Sequence, residues 1–515
     1  MEIAANKHGA ENIIVASYTR AAAVELNRRD LPIPRGNIGT LHALCYRQLS
    51  QYEIAEIKAK EFNEAYPEAE ISCNGEAKMD EMSGDFAFAT DGDRCLNAYN
   101  LQRAKCLPLE LMNATTIEWV KKWERWKTKN NYIDFTDMIA LTAIMREPAA
   151  GEPKVGIYDE VQDFNKLELN LIRSWAKYQD HIILSGDDDQ TIYTFCGASP
   201  EAFLFPDLPA DKVRVLKQSW RLPRKIHEYS QRWIKQINTR AIKEFLPRDE
   251  EGSVEYMKST YRQPYKVIEK AMQFAENNET VMILASCGYI LNTVKDQLRE
   301  AGLPFHNPYR VTRGDWNPLG NFHGKSLKRI STRERLLAFL SEVAGVKDDN
   351  KYWTVRNLHL WLELIRSRGI LKKNAKDKVL NVIEDHHGNV TNYQEFYAEI
   401  FEEFALHKAL ERDIPWFMEV LLANKRKAIE YPMTVYSKRG SKALEEKPKI
   451  IIGTIHSVKG AEADHVIMFP DLSLAGWMEY ETNKDATIRT FYVGMTRAKK
   501  SLILCAQDSD VSVKL

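Results

Sequence analysis

KVGIYDEVQDFN, residues 154–165, is a short apolar run that ends on two adjacent carboxylates, Asp159 and Glu160, with Asp163 close behind. A buried strand that stops on acids is typical of α/β proteins, in which ligands bind outside the carboxyl ends of parallel strands. Acidic oxygens at such an edge can hold Mg²⁺ or accept a proton from water. The same pair also fits a solvated helix start, where acids favour the helix dipole. The stretch therefore predicts an α/β fold and leaves two interpretations of the pair open.

The rest of the chain repeats this pattern of short β-branched runs and amphipathic stretches, which is typical of helices flanking a parallel sheet. The predicted strands are residues 12–18, 154–159, 181–187, 213–216, 281–286, 449–454, 465–470 and 501–506. They fall into two groups separated by stretches that read as helix. We therefore predict two α/β cores with parallel sheets, each interrupted by a mostly helical insertion.

The domain boundaries follow from this grouping. The first core is assigned residues 1–45 and 150–215 with an insertion at 46–149, and the second core residues 216–320 and 431–515 with an insertion at 321–430. A length of 515 residues is consistent with about three or four packed units. Each of these units is long enough to bury its own core.

Composition excludes some classes of protein and leaves others open. The chain has 72 Lys plus Arg and 72 Asp plus Glu, so a surface for nucleic acid would be a local stripe on a neutral whole. The seven cysteines are scattered without a C-x-x-C pair, which argues against a zinc site or a disulfide framework. No apolar run approaches the ~20 residues that span a bilayer, and the start MEIAANKHGAEN has no signal-peptide core. We expect a soluble cytoplasmic protein of bacterial, viral or phage type with no membrane partner.

A second strand ending on acids appears in ILSGDDDQTIYTFCGA, residues 183–198. It continues into Gln190, and a glutamine in this place can sense a γ-phosphate by hydrogen bonding. Tyr193 and Phe195 follow, and their faces could stack on unpaired bases. The alternative is that both aromatics simply pack within the loop.

Two arginines complete the polar set. Arg221 lies in LKQSWRLPRKI (216–226) and Arg497 in FYVGMTRAKKSL (491–502). Phosphoryl transfer needs positive charge on the transferred group, and arginine supplies it well. Either arginine alone would more often be a surface ion pair worth ~0 to 1 kcal/mol, so the order of the blocks has to decide.

Taken in order, these blocks resemble the motifs of the UvrD/Rep-type superfamily 1 DNA helicases. The matching stretches are VASYTRAAAVELNRR (15–29), GTLHALCYRQL (39–49), YDEVQDF (158–164), GDDDQTIYTFCGA (186–198), LKQSWRLPRKI (216–226), GTIHSVKGAEADHVI (453–467) and YVGMTRAKKSL (492–502), and IDFTDMI (133–139) resembles the family's short acidic segment. The resemblance spans nearly the whole chain. It implies two RecA-like cores of P-loop NTPase type, and ATP-driven movement along single-stranded DNA, 3′ to 5′, in replication, repair or recombination.

The resemblance also implies roles, residue by residue. Asp159 would bind Mg²⁺, and Glu160 would be the base for the attacking water. Gln190, Arg221 and Arg497 would contact the γ-phosphate of ATP, Trp220 would stack near the adenine, and Glu462 would contact the ribose. Single-stranded DNA, including single-strand/duplex junctions, would be contacted by Tyr18, Thr19, Thr40, His42, Phe195, Thr454 and His456. Hydroxyls and aromatic faces of this kind hold a strand without reading its sequence.

One family element has no counterpart in the sequence. The phosphate loop G-x-x-x-x-G-K-[ST] is absent from the 515 residues, and the near match GNFHGKS (320–326) has one residue too few between its glycines. Three expectations follow: a reading frame that starts too late or is split, a loop carried by a separate chain that docks onto this one, or a DNA-binding pseudo-helicase that does not turn over ATP. Retention of the acidic pair, Gln190 and both arginines favours the first two.

A tryptophan stripe is the last notable pattern. TIEWVKKWERWKTK (116–129) places Trp119, Trp123 and Trp126 on one helix face. We predict that this stripe is core, as aromatic residues at helical spacing usually are. A helix that guides DNA is the alternative.

Overall fold

The structure is a computed structural model that describes residues 1–18, 26, 31–72, 90–201, 209–311, 313–320, 330–341, 352–386, 390 and 392–515. Thr19 and residues 321–329, which include most of the GNFHGKS near match, lie outside the described residues. The chain divides into two compact units. Unit 1 comprises Met1–Met257, Leu284–Tyr289 and Thr454–Leu515, and unit 2 comprises Lys258–Ile283 and Ile290–Gly453. The predicted boundaries of the cores and insertions stay a prediction.

The strands of both units are short, and those that form the sheets around the site are parallel. In chain order they are β1 (Ile13–Ser17), β2 (Ile38–Gly39), β3 (Glu53–Ile54), β4 (Tyr132–Ile133), β5 (Val155–Asp159), β6 (His181–Leu184), β7 (Gln218–Pro223), β8 (Leu246–Arg248), β9 (Ser253–Met257), β10 (Val281–Ala285), β11 (Phe305–His306), β12 (Ile450–Thr454), β13 (Ala463–Met468) and β14 (Ala498–Cys505). Unit 1 holds a parallel sheet in the order β2-β1-β5-β6 and further parallel strands in the order β13-β14-β9. In unit 2 the order is β11-β12-β10.

Helices lie between the strands. In unit 1 they span Glu2–His8, Leu41–Tyr46, Ala59–Ala65, Asp91–Ala104, Ala114–Asn130, Phe135–Met145, Lys166–Ala176, Arg224–Ile234, Leu474–Thr482 and Lys484–Met495. In unit 2 they span Tyr265–Glu276, Asn292–Glu300, Thr332–Leu340, Val355–Leu362, Ala375–His386, Tyr393–Ile400, Glu403–Leu410, Ile414–Val420, Ala423–Arg439 and Lys442–Glu445. Within the described part of the chain, no helix combines the length and the apolar character needed to cross a membrane. The predicted α/β class with parallel sheets is confirmed.

The helix after the opening stretch shows how local sequence builds this layer. Asn165 caps it, accepting from the Glu168 amide at 3.0 Å, while the Glu168 carboxylate accepts from the Asn165 amide at 2.9 Å. This capping box satisfies donors that the first helical turn leaves free. Leu171 and Trp175 on the same helix then bury completely in a core shared with Tyr158 of β5. The cap and the apolar stripe therefore fix the helix on the sheet.

Seven of the eight predicted strands are found, and the one at residues 213–216 is wrong. Those residues form neither strand nor helix, and Val213 and Leu216 are 48% and 89% exposed. β-branched residues favour a strand only when a neighbouring strand and a core are available to pack against. The strand of this region begins instead at Gln218, inside the block that carries Arg221.

The tryptophan stripe is buried, which confirms the core interpretation. Trp119, Trp123 and Trp126 are 5%, 0% and 4% exposed and pack around Phe62. The Trp123 indole also donates to Asp134 Oδ2 at 3.1 Å. The stripe therefore stabilises the helical part of unit 1, and the tryptophans themselves are not a surface that guides DNA.

Replacing Trp123 with phenylalanine is expected to lower the free energy of unfolding by about 1–3 kcal/mol, because the buried Asp134 carboxylate loses one of its donors. Chemical denaturation would measure the change. Trp220→Phe is the matched control, because Trp220 is 86% exposed and should change the unfolding free energy by less than ~0.5 kcal/mol. Equal effects at the two sites would contradict the burial argument.

Candidate active site

The first acidic group lies where β5 ends, at the carboxyl edge of the four-stranded sheet. Asp159 is the last residue of β5 and pairs in register with Ser17 of β1. The Ser185 hydroxyl, from the residue after β6, donates to Asp159 Oδ1 at 2.5 Å. Asp159 is half-buried, and carboxylate oxygens are preferred ligands of Mg²⁺. The geometry at this edge therefore fits a magnesium ligand that further oxygen atoms can approach.

Glu160 leaves the strand through an unusual backbone conformation. Its φ is +55°, a left-handed value that is uncommon for residues with a Cβ and marks local constraint. Gln162 Nε2 donates to Glu160 Oε2 at 2.5 Å, and Gln162 Oε1 accepts from the Asp187 amide at 3.1 Å. Gln162 is fully buried. Its amide group therefore holds the Glu160 carboxylate beside the loop that follows β6.

Gln190 closes the short 3-10 turn Asp188–Gln190 that follows β6. Its Nε2 donates to Asp187 Oδ2 at 2.7 Å, and its Oε1 accepts from Arg497 Nη2 at 3.1 Å. The side chain is thus oriented at both ends. The predicted base, sensor and cation are joined by consecutive hydrogen bonds from Glu160 to Arg497.

Arg497 is buried, with 1% of its surface exposed. Its guanidinium donates to the Val493 carbonyl at 2.9 Å, the Ala461 carbonyl at 3.3 Å and the Thr496 hydroxyl at 3.1 Å. Burial and the nearby Arg221 lower its pKa to about 9, so it stays cationic at neutral pH. Among the described residues, no carboxylate forms an ion pair with it. Its direct hydrogen-bond partners are neutral oxygens, and Glu160 and Asp187 act on its charge only from a distance, so the guanidinium could still receive an anionic ligand.

Arg221, Trp220 and Glu462 form a neighbouring group. Arg221 Nε donates to Glu462 Oε2 at 3.1 Å, and Lys499 Nζ lies 3.2 Å from Glu462 Oε1. Burial raises the pKa of Glu462, but the hydrogen bonds from Arg221 and Lys499 more than offset this and lower it below its ordinary value. Trp220 is 86% exposed. Its ring face is therefore free to stack on a planar ligand beside these charges.

Aromatic rings connect several of the predicted DNA-contacting residues. The ring of Tyr193 lies 5.1 Å from that of Tyr18 and 5.9 Å from those of Phe195 and His456. Phe195 and His456 are 5.5 Å apart, and the Tyr193 hydroxyl donates to the His456 carbonyl. Tyr193 is 6% exposed, so for this residue the packing interpretation is right. Tyr193 is the centre that holds Tyr18, Phe195 and His456 together, and Phe195 remains half-exposed.

Three other predicted DNA-contacting residues, Thr40, His42 and Thr454, lie in local structure that the sequence did not predict. Thr40 caps the helix Leu41–Tyr46 by accepting from the Ala43 amide at 3.3 Å. Burial lowers the pKa of His42 to about 4, so it is neutral at neutral pH. Thr454 is 2% exposed and its hydroxyl accepts from the Ser457 amide at 3.3 Å.

Sequence reasoning missed Lys459, although it lies inside the block GTIHSVKGAEADHVI. Its ammonium pairs with Asp163, donates to the Gln190 carbonyl at 2.7 Å and lies 3.9 Å from Glu160 Oε2. It also lies 5.4 Å from the centre of the Tyr193 ring. Burial raises the pKa of Asp163 to about 7, while Lys459 lowers it. Lys459 therefore contacts Glu160 and Asp163 on one side and the aromatic cluster on the other.

A cluster of ion pairs around the acids after β6 was also missed. Arg240 binds Asp189 with two hydrogen bonds, at 2.9 and 2.5 Å. The Lys243 ammonium pairs with Asp187 and lies 2.5 Å from Asp188 Oδ1 and 3.0 Å from Asp189 Oδ2. The three carboxylates are close enough to hold a metal ion, but the lysine occupies their centre. They are therefore anchors for the turn that carries Gln190.

Replacing Arg240 with lysine is expected to lower the free energy of unfolding by about 2 kcal/mol, because lysine cannot make the paired hydrogen bonds to the buried Asp189 carboxylate. Urea denaturation would measure this. Arg232→Lys is the control, since Arg232 is exposed and should change the unfolding free energy by less than about 0.5 kcal/mol. A neutral result for Arg240→Lys would mean that the ion-pair cluster does not anchor the turn.

Comparison with protein families gives two matches. The model of the UvrD/REP helicase N-terminal domain matches residues 1–207. The model of the UvrD-like helicase C-terminal domain matches residues 367–509. Together they cover more than half of the chain and include Asp159, Glu160, Gln190, Glu462 and Arg497, whereas Trp220, Arg221, Arg240 and Lys243 lie between the two matches.

Individual relatives are distant but extensive in coverage. The chain is 22% identical to the "Probable DNA helicase II homolog" of Mycoplasma pneumoniae, over 96% of this chain and 77% of that protein. It is 23% identical to "ATP-dependent DNA helicase Rep" of Buchnera aphidicola subsp. Schizaphis graminum, over 73% of this chain and 66% of that protein. A shorter match, 32% identical over 100 residues, is to "ATP-dependent DNA helicase Rep" of Escherichia coli and covers 18% of this chain and 15% of that protein.

Proposed function

Because this chain belongs to the UvrD/Rep-type superfamily 1 DNA helicases, a family of ATP-dependent enzymes, we propose that it steps along single-stranded DNA from 3′ to 5′ and unwinds duplex. One observation carries the proposal: consecutive hydrogen bonds join Glu160, Gln162, Asp187, Gln190 and Arg497. A base, a sensor and a buried cation held in one network are what phosphoryl transfer to water requires.

The acidic pair divides the work. Asp159 would hold Mg²⁺, which would neutralise charge on the phosphates of ATP. Glu160 would accept the proton of the attacking water, since its carboxylate is held off the strand by Gln162. Separate carboxylates for metal and water keep the base from being neutralised by the cation.

The cations and Gln190 would face the γ-phosphate. Arg497 is already cationic and already hydrogen-bonded to Gln190. A phosphate could therefore bind to both side chains without either one having to become ordered first. Arg221 would add a second cation, and the exposed Trp220 a face for adenine. Glu462, proposed to contact the ribose, would have to share its oxygens with Arg221 and Lys499.

The proposed DNA track is the half-exposed edge of the Tyr193 ring cluster together with Thr19, Thr40, His42 and Thr454. Stacking on Phe195 would hold any base. Lys459 touches the backbone of Gln190 and the face of Tyr193, which supports coupling between the two sites. Single-stranded DNA and single-strand/duplex junctions are the proposed partners, in cytoplasmic DNA replication, repair or recombination.

A non-catalytic DNA-binding subunit is the second candidate, because the 515 residues contain no G-x-x-x-x-G-K-[ST]. The buried guanidinium of Arg497, which could receive a phosphate, favours the enzyme over this alternative. The two candidates differ in nucleotide chemistry, because only the enzyme needs a γ-phosphate.

The test is ATP hydrolysis and strand displacement with tailed duplexes, by the 515-residue chain alone and with a phosphate-loop segment added. Hydrolysis that depends on single-stranded DNA, with unwinding of a 3′-tailed but not a 5′-tailed duplex, is the expected result. Binding of single-stranded DNA without hydrolysis in either preparation would establish the non-catalytic alternative. Unwinding from a 5′ tail would reverse the proposed direction.

A further inference from the structure

The helix Leu474–Thr482 of unit 1 has no buried residue, although it contains four large apolar side chains. Leu474 is 61% and Met478 59% exposed, and Trp477 is half-buried. The helix that follows, Lys484–Met495, buries its last ten residues. Exposed apolar residues are common singly, but a group of neighbouring ones marks a site of interaction. The helix Leu474–Thr482 therefore presents an apolar surface that needs a partner.

The exposed apolar residues lie on one face of this helix. Leu474, Trp477 and Met478 have the spacing i, i+3 and i+4, which is the spacing of a stripe that normally faces a core. Ser473 fixes the start of the helix, because its hydroxyl accepts from the Gly476 amide at 3.0 Å and its carbonyl accepts from the Trp477 amide at 2.8 Å. We call Leu474, Trp477 and Met478 the outward stripe.

Two carboxylates border the outward stripe in an unfavourable place. Glu479 and Glu481 are exposed and lie in the last turn of the helix, where the helix dipole favours cations and disfavours anions. The helix contains no basic residue, and the nearest one in sequence, Lys484, holds its ammonium 5.6 Å from the centre of the Tyr480 ring. No described residue forms an ion pair with either carboxylate. The border of the stripe is therefore acidic and lacks a counter-charge within the described part of the chain.

We propose that the outward stripe binds a basic amphipathic helix of another protein, whose apolar face covers the stripe and whose lysines or arginines face Glu479 and Glu481. Helices of this kind are recognised through apolar anchors at i, i+3 and i+4. Single-stranded DNA is a poorer occupant, because the two carboxylates repel phosphates. A second copy of this chain is also poorer, because a two-fold interface would bring the same acidic border of both copies together. The inference does not depend on ATP hydrolysis.

The test uses two synthetic peptides of about 18 residues, which is long enough for a helix to form. Both peptides carry leucine at the apolar positions of an amphipathic helix, and the other positions are lysine in one and glutamate in the other. Fluorescence anisotropy of the labelled peptides would give their affinities for the 515-residue chain. We expect the lysine peptide to bind at least about tenfold more tightly, because opposite charges across an interface attract. Hydrogen exchange of residues 474–482 should slow when this peptide binds.

Two variants locate the binding on the outward stripe. Met478→Gln keeps the side-chain length and the helix propensity but removes apolar surface, so it should weaken binding of the lysine peptide about tenfold. Glu479→Gln combined with Glu481→Gln should weaken it by a similar factor and reduce its dependence on salt. Ile144→Gln is the matched control for the first variant, because Ile144 is 72% exposed on the helix Phe135–Met145.

A control for charge is Glu402→Gln combined with Glu403→Gln, since both residues are exposed. Neither control should change the affinity. Equal binding of the two peptides, or equal losses in the variants and their controls, would overturn the inference. So would self-association of the chain that Met478→Gln abolishes, because the occupant would then be a second copy. A loss of affinity for a single-stranded oligonucleotide in Met478→Gln would assign the stripe to DNA instead.

Discussion

Replacing Glu160 with glutamine is expected to lower kcat for DNA-stimulated ATP hydrolysis about a thousandfold, because an amide cannot take a proton from water. The change preserves size and the hydrogen bond with Gln162 can be remade. Asp159 and Arg497 are untouched, so affinity for nucleotide and for single-stranded DNA should change little. Steady-state hydrolysis and DNA titrations, on the preparation that turns over ATP, would measure both.

Glu152→Gln is the control for Glu160→Gln. Glu152 also has a left-handed backbone, with φ of +49° against +55° for Glu160, and it is exposed. The same substitution therefore carries the same backbone strain without the chemistry. A Glu160→Gln variant that hydrolyses ATP at close to the normal rate would show that another group accepts the proton.

The sequence predicted the local elements well because local chemistry determines them. The apolar run of β5 and its terminal acids lie within one strand, so their placement at the sheet edge follows from strand direction alone. The strand predicted at residues 213–216 is wrong because β-branched composition says nothing about whether a neighbour exists to pair with. Leu216 is 89% exposed because no described strand pairs with this segment and covers it.

Contacts between residues far apart in the chain could not be predicted from the sequence. Arg240 lies 51 residues from Asp189, and Lys459 lies 296 residues from Asp163. In a single sequence both are ordinary basic residues, and only the folded geometry brings them to buried carboxylates. The aromatic cluster is a further example. In the sequence Tyr193 lies among candidate DNA-binding residues, but in the structure it is buried and packs beneath them.

The contacts of Lys459 would couple the proposed nucleotide site to the Tyr193 ring cluster. Its ammonium contacts Asp163, the Gln190 carbonyl and the Tyr193 ring. If a bound DNA strand moved Tyr193, the Lys459 ammonium would change position. Gln190, whose carbonyl accepts from that ammonium, would then move as well. The coupling would thus run through a few buried contacts. Packed side chains and hydrogen bonds of this kind switch between discrete arrangements instead of moving gradually.

Replacing Arg497 with lysine is expected to lower kcat about a thousandfold, since removing an arginine that stabilises charge on the transferred phosphoryl group costs ~10³ or more. Lysine cannot reproduce the planar fork that bonds Val493, Ala461, Thr496 and Gln190 at once. Burial and the charge of Arg221 should also lower the pKa of a lysine here. The residual activity should therefore rise as pH falls and the amine regains its proton. Measurements of kcat across pH would test both statements.

Arg489→Lys separates this chemistry from folding. Arg489 is 4% exposed, like Arg497, but it donates to the Asp188 and Thr239 carbonyls and does not contact Gln190. Both substitutions remove a buried guanidinium, so both should lower the free energy of unfolding by a similar amount. Only Arg497→Lys should lower kcat in protein that remains folded, because only Arg497 donates to Gln190, the proposed sensor of the γ-phosphate. Equal losses of kcat in the two variants would mean that Arg497 supports the fold rather than the reaction.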